Sequence, residues 1–259
     1  MPDFPQALIA MHERAPLPVL HLLGEPFVSV GECRIEVPRS GKRLLVFVAL
    51  RHRRVERLSA AGSLWPVNDE ARAGGNLRSA LWRLRQMGVP LLDTDKRGLR
   101  LRAEVVLDVD AVSRWAARVV DGTASTAELR MVPRDVEGLD LLPGWYEDWA
   151  LIERERLRQR LLHALEAQSR QLARRGLHAE SVEAAMAAVG AEPLRESAQR
   201  VLIEAHLAEG NWIEGRRSLD AYARLLDRDL GVRPASELTA LLYPAGRPVP
   251  APREAVTPR

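Results

Sequence analysis

One cysteine, Cys33, occurs in 259 residues, which excludes an intrachain disulfide and any zinc site built from several cysteines. The six histidines (His12, His21, His52, His163, His178, His206) lack the i, i+3 or i, i+4 spacing that puts two ligands on one helix face, so no metal centre is expected. No apolar run approaches the roughly 18 to 20 residues that span a bilayer. The opening MPDFPQALIAMHERAPLP also lacks the basic start and apolar stretch of a secretion signal. The expectation is a cytoplasmic protein with no membrane partner. No phosphate-binding GxxxxGK[ST] loop occurs, and no Ser/His/Asp arrangement or carboxylate pair marks a catalytic centre, so neither an enzyme nor a cofactor is expected. Lysine is nearly absent as well; Lys42 and Lys96 are the only two, and arginine carries the remaining positive side-chain charge.

What is present is ordinary in bulk and uneven along the chain. With 46% hydrophobic and 28% charged residues, bulk disorder is excluded. A length of 259 residues fits two modest domains at about 100 to 200 residues each. Residues 1–105 carry 17 Lys+Arg against 11 Asp+Glu, whereas the remainder carries 21 against 24. A polyanionic partner would therefore meet the N-terminal part.

After a Pro-containing leader, VLHLLGEPFVSVGECRIEVPR alternates apolar residues between Gly and Pro punctuation, predicting strands at 19–23, 27–30 and 33–37. Leu44, Leu45, Val48 and Ala49 then recur at helical spacing, predicting a first helix that ends near Arg51. VERLSAAGSLWP predicts a second helix stopped by Pro66, with Leu64 and Trp65 on its core side. A polar joint, VNDEARAGG, leads to a third helix, and VPLLDTDKRGLRLRAEVVLDV predicts a hairpin turning at DTDKRG. Beyond Asp108 only helical patterns are expected. Gly176 and Gly210 each end a long helix and lie 34 residues apart, the tetratricopeptide period, which predicts two or three stacked helix pairs with a concave partner surface. The last stretch, PAGRPVPAPREAVTPR, has five prolines and no apolar periodicity, and is expected to be disordered.

The third helix, NLRSALWRLRQMG, poses the functional question. At 100° per residue Leu77, Ala80, Leu81 and Leu84 fall in one arc of about 100°, a stripe for a core. The opposite side carries Ser79, Trp82, Arg83 and Gln86, flanked by Arg78 and Arg85, with Asn76 at the entrance and Arg72 just ahead. No acidic residue occurs between Leu77 and Val89, so the face lacks the Glu–Arg pairing of a generic surface helix. Such a face is either solvated surface or a reading surface: Arg bonds guanine, Asn and Gln match adenine, and Ser or Arg holds phosphate. The context favours reading, because a helix, a turn, a basic second helix and a hairpin compose a winged helix-turn-helix. Lys96, Arg97, Arg100 and Arg102 cluster at the hairpin, and Arg39, Lys42 and Arg43 sit at the start of the first helix as candidate DNA-backbone contacts.

The segments LLGEPFVSVGECRIEVPRSGKRLLVFVAL, RLSAAGSLWP, ARAGGNLRSALWRLRQ and GLRLR resemble the OmpR-like winged-helix domain of the antibiotic regulatory protein (SARP) family. GWYEDWALIERERLRQRLLHALE, the EPLRE box and LGVRPASEL are similar to the bacterial transcriptional activator domain that follows it in that family. The resemblance implies an α+β winged helix-turn-helix domain at 17–107, preceded by a flexible leader at 1–16. An all-α tetratricopeptide-like repeat domain follows at 108–243, with a disordered tail at 244–259. It also implies a transcriptional activator that binds promoter direct repeats in double-stranded DNA, contacts RNA polymerase and forms a homodimer on DNA. Arg83 and Arg85 match the basic pair of the family's SRLR box, and Arg100 matches its wing arginine. Trp82 departs from the family, standing where Ser or Arg is usual; sugar contact, packing on the neighbouring helix and base contact all remain open for it. Leu99 replaces the family's wing aromatic. With too few residues ahead of the first strand for a phosphoacceptor domain, regulation is expected from abundance, partners or an unseen ligand. A helical-repeat scaffold with only nonspecific DNA binding, and a repressor acting by promoter occlusion, are the competing readings.

Other conspicuous residues have simpler expected roles. Trp145, Tyr146 and Trp149 are expected to seal the first helix pair or to anchor a partner. RERLRQR, at 154–160, is expected to be a charge-paired solvated face, and Trp212 is expected in the repeat core.

Overall fold

The computed structural model describes residues 3–12, 17–133 and 136–243, so the proline-rich tail expected to be disordered lies outside the described residues. The chain divides into two compact units, Met1–Ala164 and Leu165–Arg259.

In the first unit, helix α1 (Phe4–His12) occupies most of the stretch expected to be a flexible leader. Asp3 caps it by accepting the Gln6 N–H at 2.9 Å, and Pro5 fits the first turn, where its missing N–H has no partner to lose. Leu8 is buried, and the Phe4 ring meets Trp115 edge-on at 5.0 Å, so α1 is held by packing.

Strands β1 (Pro18–His21), β2 (Phe27–Val30) and β3 (Cys33–Glu36) form the expected antiparallel meander, in register at Val19–Ser29 and Ser29–Arg34. Helix α2 (Arg39–Leu50) follows; Gly41 and every residue from Leu44 to Leu50 are buried, as befits a helix enclosed by its neighbours. Then come β4 (Val55–Glu56), α3 (Arg57–Leu64), α4 (Glu70–Arg85) and the hairpin β5 (Leu92–Thr94) with β6 (Gly98–Leu101). A second short strand, β7 (Val106–Leu107), runs parallel to β1, giving one sheet ordered β3-β2-β1-β7 and another ordered β4-β6-β5. Strands of two residues, like β4 and β7, are too short for alternation to reveal. Trp65, expected in the core, caps α3 half-buried.

The polar joint ahead of the third helix is mostly helix. Helix α4 begins at Glu70, six residues before Asn76, because Asp69 accepts the Arg72 N–H at 2.7 Å and Glu70 sits in the first turn, where negative charge suits the helix dipole.

Helices α5 (Asp108–Val120) and α6 (Thr126–Leu129) and the start of the long helix α7 (Asp148–Arg174) also belong to the first compact unit, whose contacts run across the 107/108 boundary between the expected domains. The cause is hydrogen bonding and packing across that boundary. The buried Asp108 carboxylate accepts the N–H groups of Leu22 and Leu23 at 2.9 and 3.1 Å. Leu142 N–H donates to the Leu22 carbonyl and Gly24 N–H to Asp140. Trp149 packs edge-on against Phe47 of α2 at 5.3 Å and against Trp145 at 6.0 Å, whereas Tyr146 is exposed. Arg154, in the stretch expected to be solvated, donates to the carbonyls of Leu141, Leu142 and Trp145, while Arg156 and Arg158 make the expected surface pairs with Glu153 and Glu155.

In the second unit, α7 ends and α8 (His178–Ala191), α9 (Glu196–Ala208), α10 (Trp212–Leu230) and α11 (Ser236–Ala240) follow. The 34-residue period is structural. Gly176 N–H bonds Ala173 and Leu177 N–H bonds Leu172; Gly210 N–H bonds Leu207 and Asn211 N–H bonds His206. Both are Schellman closures with left-handed Gly at φ +74° and +84°, where an L side chain is strained. Ile203, Leu219, Tyr222, Leu226, Leu238 and Leu242 form the core at the last pair. The EPLRE box is structural here: Arg195 bonds the buried Glu166 at 2.6 Å, and Glu196 accepts the Ala235 N–H of the VRPAS segment at 3.2 Å. Trp212, expected in the repeat core, is 38% exposed, edge-on to Tyr243 at 6.2 Å.

Candidate nucleic-acid interface

Helix α4 is divided as its sequence predicts. Ala73, Leu77, Ala80, Leu81 and Leu84 are buried, and α2 takes up part of that stripe. The approach is closest at Gly41, where a Cβ would stand 2.7 Å from Leu84 Cγ; only glycine lets the two helices meet there. On the other side Arg72, Arg78, Ser79, Trp82, Arg83, Arg85 and Gln86 are exposed, and Asn76 is half-buried. The Arg78 guanidinium lies back over Gly74 and Gly75, 3.6 to 3.7 Å from where their Cβ atoms would be. That direction is the one helical side chains favour. Among the described residues no ion pair engages Arg72, Arg78 or Arg83.

Arg85 behaves differently from its neighbours. Its guanidinium donates to Thr94 Oγ1 at 2.8 Å, tying the end of α4 to strand β5. Beneath this tie Leu81, Leu84, Leu91, Leu92 and Pro90 line a small cleft.

The hairpin turn is built on Asp95, whose Oδ1 accepts the N–H groups of Arg97 at 2.7 Å and Gly98 at 2.9 Å. Those two N–H groups, then Arg54, hold its carboxyl below the usual range. At the tip Lys96 and Arg97 are exposed, with no ion pair among the described residues. Further down, Arg100 pairs with Asp93 at 2.9 Å and Arg102 with Glu104 at 3.3 Å. The four cations expected in the wing are thus brought together on one hairpin, two of them balanced by its own carboxylates.

At the start of α2 the three expected cations separate in role. Lys42 Nζ lies 2.9 Å from Glu25, whose carboxyl is lowered chiefly by that hydrogen bond, and Arg43 Nε lies 2.8 Å from Glu147. Arg39 is exposed, with no ion pair among the described residues.

A further basic group escaped the sequence reading. Arg53, Arg54 and Arg57 flank β4, which pairs with β6 and so brings them to the foot of the hairpin. Arg54 pairs with Asp95 at 2.6 Å, Arg57 donates to the Asp95 carbonyl at 3.3 Å, and a Cβ at Gly98 would collide with Arg54 at 2.5 Å. The signal was present as the block RHRR at 51–54, but without β4 it had no place in the fold.

The bacterial transcriptional activator domain model matches residues 109–243. Among solved structures, the chain is similar in fold to Mycobacterium tuberculosis EmbR in complex with a low affinity phosphopeptide, with a TM-score of 0.65 at 15% identity. The match covers 87% of this chain and 64% of that one, so the chain spans less than two thirds of that structure's length. No curated protein matches the chain.

Proposed function

The chain belongs to the bacterial transcriptional activator domain family as a SARP-type transcriptional regulator, and from that premise we propose that it activates transcription by reading promoter direct repeats in double-stranded DNA and contacting RNA polymerase. The observation that carries the DNA part is the split of α4. Its apolar stripe is buried, while its exposed face presents Arg78, Ser79, Arg83 and Gln86 with no carboxylate, tied through Arg85 to a hairpin tipped by Lys96 and Arg97. A helix of this width enters the major groove, and the hairpin then reaches the adjacent backbone or minor groove. Arg83 and Gln86 are the base-reading candidates, with Asn76 at the edge. Arg39, Arg78, Lys96 and Arg97 contact phosphate, with Arg72 at the N-terminal turn of α4. Two copies in tandem on the repeats form the homodimer on DNA.

The test is binding of the full chain to duplexes selected from a random pool, measured across salt concentrations. An enriched repeated sequence is expected, with affinity falling steeply in salt and lost when Arg83 and Arg97 are both changed to Ala. Equal affinity for unrelated duplexes, or tight specific binding that survives both changes, overturns the assignment.

A further inference from the structure

Trp82 is the one large apolar side chain on the exposed face of α4, and it is 62% exposed. Its helical neighbours at i−4, i−3, i+3 and i+4 are Arg78, Ser79, Arg85 and Gln86, all exposed. It therefore stands in the middle of the polar face, not at its margin with the core. Among the described residues no ring or cation–π contact engages it. Packing on a neighbouring helix, one of the roles its sequence left open, does not account for it.

An indole held at the centre of a groove-facing surface must meet something apolar to gain from its position. In a stacked duplex the base faces are hidden, and the major groove presents only base edges. Those edges are hydrogen-bond donors and acceptors, with one large apolar exception, the thymine 5-methyl group. Phosphate calls for the arginines around Trp82, and the indole has a single N–H to offer. We propose that Trp82 is a specificity residue that reads thymine methyl groups in the major groove, while the arginines around it hold the backbone and guanine edges. This inference rests on the groove-reading role of α4 proposed above.

The experiment uses the full chain and the duplex that it enriches from a random pool, with each thymine replaced in turn by deoxyuridine, which removes the methyl and leaves pairing intact. At one or two positions the replacement should weaken wild-type binding about fourfold per methyl, the equivalent of one buried methylene. Trp82→Ala should weaken binding to the thymine duplex by at least as much and should no longer distinguish thymine from deoxyuridine at those positions. Because Trp82 lies outside the core, the variant should keep the wild-type circular dichroism and melting temperature. Discrimination that persists unchanged in Trp82→Ala, or Trp82→Ala binding as tightly as wild type, overturns the Trp82 assignment while leaving DNA reading intact. A pool that yields no enriched sequence overturns both.

Discussion

The contact between Gly41 and Leu84 gives a prediction whose sign depends on the background. Gly41→Ala places a methyl 2.7 Å from Leu84 Cγ and 2.8 Å from Cδ2, inside any real carbon–carbon contact. Leu84 is 5% exposed and its Cγ is a branch point, so the side chain cannot swing clear without displacing α2 from α4. Overpacking of this kind costs about 1 to 3 kcal/mol. Alanine in place of glycine inside a helix returns about 1 kcal/mol, leaving a net loss of about 0 to 2 kcal/mol. Leu84→Ala alone should cost about 2 to 5 kcal/mol, as a buried leucine emptied to a cavity.

In the Leu84→Ala background the clash is gone, because Cγ and Cδ2 are the atoms removed. The remaining near neighbour is the Ala80 carbonyl at 3.5 Å, an ordinary contact. Gly41→Ala should then stabilise by about 1 kcal/mol, through helix propensity and partial filling of the cavity. Urea denaturation of the four proteins, followed by circular dichroism, measures this cycle. A Gly41→Ala effect of the same sign in both backgrounds, additive to within about 0.5 kcal/mol, refutes the proposed contact.

Other perturbations probe different parts of the molecule. Burial pushes the Asp108 carboxyl up to about 7 from 3.8, so folding favours its protonated form. Its stabilisation is present below about pH 4 and lost as pH rises through about 7, a span on the order of 4 kcal/mol. Asp108→Asn should flatten that dependence in urea titrations from pH 4.5 to 8, and parallel profiles would count against it; His21, lowered by burial, trends the opposite way and lies 3.7 Å from the Asp108 carboxylate, so Asp108→Asn in a His21→Gln background isolates the Asp108 contribution. Gly176→Ala and Gly210→Ala meet no atoms within 4 Å, so each should cost only the strain of a left-handed alanine, about 1 kcal/mol, and equally at both sites. Unequal losses in thermal melts would break the equivalence of the repeats. Asp95→Ala releases the N–H groups of Arg97 and Gly98 together with Arg54, and faster amide exchange at residues 97 and 98 with weaker DNA binding is the expected result.

The parts of this molecule that were legible in its sequence are those where periodicity runs long enough to register. The stripe from Leu77 to Leu84, the meander and the 34-residue glycine spacing all fall in that class. What was missed depended on single side chains, some bonding within one helical turn and one acting across a long sequence separation. Asp3 and Asp69 each cap a helix through one side-chain bond, and in both cases a Pro or Gly pair nearby suggested a loop instead. Asp108 closes on Leu22 and Leu23, 86 and 85 residues away, which no local pattern encodes. In the candidate interface the residue types were readable, but their commitments were not. Lys42, Arg43, Arg85, Arg100 and Arg102 look equivalent to Arg39, Arg83 and Arg97 until their partners are seen.

Those commitments bear on how the protein would respond to salt. Arg39, Arg72, Arg78, Lys96 and Arg97, the proposed phosphate contacts, have no ion pair among the described residues and would displace only water and counterions on meeting DNA. If they alone engage the polyanion, the slope of log affinity against log salt should be about −4.5, at roughly 0.9 per cation. Arg100 with Asp93 and Arg102 with Glu104 are partly exposed pairs, a class worth at most about 1 kcal/mol, so phosphate can take either arginine cheaply. Recruiting both would steepen the slope to about −6.3, and Arg100→Ala would then bring it back by about 0.9. A slope near −4.5 that Arg100→Ala leaves unchanged would show instead that the hairpin arginines shape the wing and only its tip touches DNA.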